Sequence, residues 1–277
     1  MIDVLDSLSE IAHRESNSLP ADVFILRGLW RTSYILRLNQ RSTTFHLSYL
    51  LAQTVGQGCS YYEHDMDEPV LSESILGKSI FEVATESRPL EIAMLDAAFS
   101  SINREVPAKQ YFLDGSNIEK ADKRAEIISD EILSRLKQQR PKRWDKFRVA
   151  NVGVVGNILS ILRTQRNLEL TASDFYRGVV GKSIDGIYVE HGSRTLDLVA
   201  EADLAIVTGM TLATDTLDEI LKTASEAKTA LAIFAETGAH FAHEYCQMGV
   251  DIVFSEPFPF YLSGPGSTRI DVYRRLR

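Results

Sequence analysis

From about Lys146 to Arg274, short continuous apolar runs alternate with segments of helical period, and this alternation most limits the folds open to the chain. The runs predict strands at Arg148 to Val152, Gly186 to Val189, Leu204 to Val207, Ala230 to Phe234 and Asp251 to Phe254, with a last strand at Arg269 to Arg274. Helices fit between them at Ile158 to Gln165, Thr195 to Ala200, Thr216 to Ala227 and His240 to Met248. Strands apolar on both faces need helices on both sides of their sheet, so the pattern implies an open, twisted, parallel α/β sheet of Rossmann type.

The first half follows another order. Val4, Leu5, Leu8, Ile11 and Ala12 share one helical face, which predicts an opening helix from Asp3 to His13. Val23 to Leu26, Thr32 to Leu38 and Thr43 to Leu51 then read as an antiparallel meander broken at Gly28 and at Asn39-Gln40-Arg41. Helices follow from Gly77 through Ala84, from Leu90 to Ile102 behind Pro89, and from Glu119 to Gln139. Strands first and helices afterward is the order of a segregated α+β domain. The basic run Arg140-Pro141-Lys142-Arg143 reads as a solvated linker, placing the expected domains at 1–140 and 141–277.

Charge and cysteine content exclude several function classes. With 38 acidic against 30 basic side chains the net charge is -8, which repels nucleic acid and anionic membrane. Cys59 and Cys246 are too few for a disulfide framework, the N-terminus lacks a secretory pattern, and no apolar stretch approaches the roughly 20 residues of a membrane span. A cytoplasmic protein is expected, with a small molecule as partner and a homodimer left open.

Ligands of an open α/β sheet bind beyond the carboxyl ends of its strands, so candidate residues are read there in order. The first strand ends in Gly153 and Gly156 with Asn157 after them, either a ligand cradle or a plain tight turn. Glu190 and His191 follow the next predicted strand, a carboxylate where nucleotide-binding folds hold a ribose, although Gly153 to Glu190 exceeds the usual spacing of about twenty residues. Thr208, Gly209, Thr211 and Asp215 follow the third, where helix capping explains the later residues but not Thr208 to Thr211. The fourth gives Glu236, Thr237, Gly238 and His240, with Glu236 and His240 the candidate catalytic pair. His240, His243 and Cys246 step by three along a helix; they read either as a metal set or as a helix with a buried apolar cysteine. The aromatic run from Phe258 and the polar cluster Tyr61 to Glu68 read as a hairpin or cover and as an exposed loop, respectively.

Val152-Gly153 with its helix, the segment Ala202 to Leu212 with Thr216-Leu217, and Gly249-Val250-Asp251 resemble the "putative heavy-metal chelation" family. Gly77 to Ala84 and the helix from Pro89 to Asn103 are similar to the enolase-N-terminal-like domain that precedes the Rossmann-like domain in that family. The resemblance implies an α+β domain packed on a Rossmann-like domain with a ligand cleft between them. The chain departs from the family pattern at Ala213 to Thr216 and at Glu236 to His240. Together the residues and the resemblance lead to a protein that binds a small anionic or metal-chelating metabolite in that cleft, with Glu190, Asp215, Glu236 and His240 as polar ligands. The alternative is a transferase or lyase using S-adenosylmethionine or a related nucleoside. A divalent metal or S-adenosylmethionine is the corresponding cofactor.

Overall fold

A computed structural model describes residues 3–36, 45–62, 71–102, 106–139, 146–257 and 266–275. The first element is helix α1 (Val4–Glu15), started by the Asp3 side chain, which accepts from the Leu5 and Asp6 amides. A 3-10 turn, Ala21–Phe24, occupies the place of the expected first strand, because Pro20 and Asp22 open a helical turn rather than an extended run. The antiparallel meander is nonetheless present, shifted along the chain: β1 (Gly28–Leu36), β2 (Phe45–Gln53) and β3 (Gln57–Tyr62). The helix expected at 77–84 shrinks to the 3-10 turn Ile80–Glu82, held by a capping box between Ser79 and Glu82.

Helix α2 (Arg88–Ile102) buries every residue from Pro89 to Phe99 except Glu91, an all-round burial that requires neighbours on every side. On one side lie β2 and β3, and on another the turn at Ala239–Phe241. At Gly58 a Cβ would lie 2.1 Å from the Ala97 amide nitrogen, so glycine lets β3 cross the helix backbone.

The remaining strands form one nine-stranded sheet. They are β4 (Lys109–Leu113), β5 (Phe147–Val152), β6 (Leu168–Asp174), β7 (Ser183–Ile184), β8 (Ile187–His191), β9 (Leu204–Thr208), β10 (Ala230–Ala235), β11 (Ile252–Ser255) and β12 (Thr268–Arg274). The order is β4-β12-β11-β10-β9-β5-β6-β8-β7, and the strands from β11 to β8 all run parallel. Numbered from β5 and read from β8, that block runs third, second, first, fourth, fifth, sixth, the doubly wound order in which the direction of winding, not of the strands, reverses between β5 and β9. Helices α3 (Asn117–Gln139), α4 (Gly156–Arg163), α5 (Thr195–Glu201), α6 (Met210–Ala213), α7 (Leu217–Ala227) and α8 (Ala242–Gln247) accompany the sheet.

Packing does not follow a division at residue 140. One core joins Leu8, Leu50, Met94 and Phe99 to Val152, Val207, Ile233 and Val253. A second, on the other sheet face, joins Ile128, Ile132 and Leu136 of α3 to Val149, Ile206 and Phe254. Strand β4 pairs with β12 at the sheet edge. Residues 109–139 therefore belong to the large sheet, whose apolar face α3 must cover. Tyr61 and Tyr62, expected in an exposed loop, instead end β3 with buried side chains, because β3 pairs with β2 and packs against α2. The rest of that cluster, the basic run, the 39–41 turn and most of the aromatic run from Phe258 lie outside the described residues. No described helix is long and apolar enough to cross a membrane.

Candidate ligand-binding site

Between the strand ends and the meander is a cavity of about 240 Å³ at the point where the strand order reverses. The sheet supplies Gly153 to Val155, Ser173 to Tyr176, Gly192, Ser193, Thr208, Met210 and Thr211 to its wall, and the meander adds His46, Leu47 and Tyr61. This is where doubly wound sheets bind ligands.

Gly153 has φ +71°, and a Cβ there would lie 2.3 Å from Thr208 Oγ1, so both backbone and space demand glycine. Thr208 is only 4% exposed, and its hydroxyl has no hydrogen-bond partner among the described residues. A buried hydroxyl left in that state costs about 1–3 kcal/mol, which a ligand polar atom would recover. Thr211 differs: its hydroxyl donates to Thr208 O at 2.8 Å, one turn closing on itself.

The acidic residue at the carboxyl end of the second strand is Asp174, 21 positions after Gly153, rather than Glu190. Glu190 lies next to the end of β8, the third strand outward, where it pairs with Arg194 at 3.2 Å, and His191 accepts from the Ser193 amide as a cap. Asp174 accepts from the Val154 amide at 2.7 Å and the Tyr176 amide at 2.8 Å. Burial pushes its carboxyl up from the ordinary aspartate range, against those amide bonds. Phe175 stays 44% exposed at the wall, packed over Gly192, where a Cβ would lie 2.6 Å from its ring.

Other expected residues are structural. Asn157 donates to Asp122 Oδ1 at 3.0 Å and ties α4 to α3. Gly209 lets two loops touch, since a Cβ would lie 2.4 Å from Thr237 O. Asp215, at φ +57°, pairs with Arg88 at 3.0 Å. Gly156 begins α4.

Glu236, Thr237, Gly238 and His240 do not line this cavity. They dock the sheet onto the meander and α2: the Tyr61 amide donates to Thr237 Oγ1 at 2.9 Å, and the Gly238 amide to Cys59 O at 3.1 Å. Asp96, within apolar α2 and 1% exposed, accepts from the amides of Cys59 and His240, each at 2.8 Å, and contacts His240 Nδ1 at 3.2 Å. Burial opposes a charged His240 ring, but the Asp96 carboxylate outweighs it and raises the pKa. Glu236 meets the Tyr49 hydroxyl at 3.2 Å, and burial pushes its carboxyl up to about 7, with Arg124 pulling the other way. Asp96, Asp174 and Tyr49 were not candidates from sequence; a lone aspartate in a helix apolar all round is the signal that could have found Asp96.

The metal set His240, His243 and Cys246 is not assembled. Among the described residues, the group of His, Cys, Asp and Glu whose ligand atoms lie within 4.8 Å of one another is Asp3, Asp215 and Asp218. Arg88 already bridges Asp3 and Asp215, and Asp218 Oδ1 accepts from the Val4 amide. Burial pushes the Cys246 thiol up to about 12, which keeps it protonated at neutral pH.

Residues 144–233 match the model of the DUF364 family, described as "Putative heavy-metal chelation". A DUF364 protein of unknown function from Pyrococcus horikoshii has a similar fold at 13% identity and TM-score 0.56, over 97% of this chain and 99% of that one. Another from Desulfitobacterium hafniense DCB-2 is similar at 14% identity and TM-score 0.53, over 96% and 99%. No curated protein matches the sequence. The resemblance read from the sequence is thus shown, by the family match over 144–233 and by the shared fold of those two structures.

Proposed function

We propose that the chain binds a small organic ligand, free or as its metal chelate, in the cavity between the meander and the ends of β5, β6 and β9. The Thr208 hydroxyl carries this reading: it is buried at the cavity wall without a partner among the described residues, at the one place where a doubly wound sheet concentrates ligand contacts. The family description attached to residues 144–233 supports a metal-related role. The described residues offer no histidine and cysteine set, so the metal would enter with its chelator rather than be held by protein donors. Glu236 and His240 lie outside the cavity wall and are given no part in chemistry on the ligand.

A nucleoside or S-adenosylmethionine ligand is the second reading. The carboxylate 21 residues after Gly153 favours it, since that spacing is the one Glu190 lacked.

A thermal-shift panel tests both: nucleosides, S-adenosylmethionine, and zinc, nickel and cobalt with and without histidine or citrate. A ligand at a hundred times its Kd stabilises by about 2.7 kcal/mol. A shift in the wild type that Thr208→Val reduces is the expected result. A panel without any shift, or shifts indifferent to Thr208→Val, would overturn the assignment of the cavity.

A further inference from the structure

Doubly wound sheets commonly hold a dinucleotide, with its pyrophosphate on free amides of the first glycine turn. In this chain three successive amides of that turn are already taken. Gly153 N donates to Ser173 O at 3.0 Å, Val154 N to Asp174 Oδ2 at 2.7 Å, and Val155 N to Asn151 Oδ1 at 3.2 Å. The middle partner is a carboxylate, so a negative group stands where the fold would otherwise receive a phosphate. The rest of the wall agrees with this sign. Glu219 adds a second carboxylate, no lysine or arginine is present among the described lining residues, and Tyr61, Phe175 and Tyr176 supply aromatic surface. Its volume, about 240 Å³, lies below the usual range of roughly 300–1,000 Å³ for a ligand pocket and matches a small ligand better than a dinucleotide.

We propose that the cavity selects phosphate-free ligands: a neutral or cationic, nucleoside-sized molecule with hydroxyl groups, the Asp174 carboxylate excluding its phosphorylated counterpart. The inference rests on the reading of the cavity as the ligand site and narrows it to one charge class. Thr208 Oγ1 is the free polar group for a ligand hydroxyl or ring nitrogen. Asp174 acts as a specificity determinant through its charge and through its hold on the Val154 amide.

Calorimetry with a matched pair of probes, adenosine and adenosine 5′-monophosphate, tests the selection. The wild type should bind adenosine about tenfold or more tightly than the monophosphate, a factor of ten corresponding to about 1.4 kcal/mol. The gap should narrow as salt screens the carboxylate. Asp174→Asn keeps an oxygen acceptor and removes the charge, so it should narrow the gap about tenfold. A purely structural Asp174 would lower stability and leave the ratio unchanged. Equal or tighter binding of the monophosphate by the wild type, or a gap unmoved by Asp174→Asn, overturns the proposal. If the variant does not fold, the salt dependence decides: a salt-independent gap overturns it. Failure of both probes overturns the nucleoside-sized class, whereas the cavity assignment falls only with the wider thermal-shift panel.

Discussion

Replacing Glu236 by Gln should remove much of the pH dependence of folding stability. Glu236 is 8% exposed, and burial holds its carboxyl at about 7 instead of 4.5. Between those values the folded chain keeps a proton that the unfolded chain releases, so stability falls as pH rises. The contribution is fully present below 4.5 and lost above about 7; the distance between the two corresponds to about 3 kcal/mol. Gln preserves an oxygen for the Tyr49 hydroxyl and cannot ionise. Urea unfolding at about pH 5 and pH 8 should therefore show the wild type losing about 2–3 kcal/mol more than the variant over that interval. His240, whose pKa is also raised, adds stability present below its ordinary value and lost as pH climbs through the folded one. Its contribution runs in the same direction in both proteins and drops out of their difference. Parallel pH dependences in wild type and variant would refute the burial argument for Glu236.

Asp96→Ala leaves the buried amides of Cys59 and His240 without an acceptor and should cost about 3 kcal/mol or more in urea unfolding, while returning the His240 titration toward that of free histidine by NMR. Gly153→Ala meets both the left-handed backbone and the Thr208 hydroxyl, so it should destabilise by at least about 1–2 kcal/mol and lower Tm. Thr208→Val removes a buried hydroxyl that has no partner among the described residues and should raise unliganded stability by about 1 kcal/mol while weakening ligand binding, a trade expected of a binding residue. A loss of stability on Thr208→Val would show instead that the hydroxyl serves the fold.

The sequence pattern was most legible where strands are buried on both faces. Strands β5, β9 and β10 consist of buried residues apart from Arg148, and such apolar runs stand out between helical segments. Strand β6 did not, because Leu168, Leu170 and Ala172 alternate with Glu169, Thr171 and Ser173 and resemble a loop or surface segment. Missing β6 had a direct functional consequence, since the role of the second-strand carboxylate went to Glu190 rather than Asp174. Strand β4 was missed because Lys109, Gln110 and Phe112 are exposed at a sheet edge, and its partner β12 lies more than 150 positions away. Thr208 was legible because hydroxyls there exceed what capping needs. Gly238, Thr237 and His240 looked like ligand loops for a related reason: a polar strand end can serve docking of another chain segment as readily as binding of a small molecule, and only the partners at Tyr61, Cys59 and Asp96 distinguish the two.

A crystal structure of the protein soaked with adenosine tests the central claim most directly. The account predicts the ligand in the cavity at the ends of β5, β6 and β9, with a polar atom about 3 Å from Thr208 Oγ1 and the Asp174 bond to the Val154 amide retained. Adenosine bound elsewhere, or bound here with the Thr208 hydroxyl still without a partner, would contradict it.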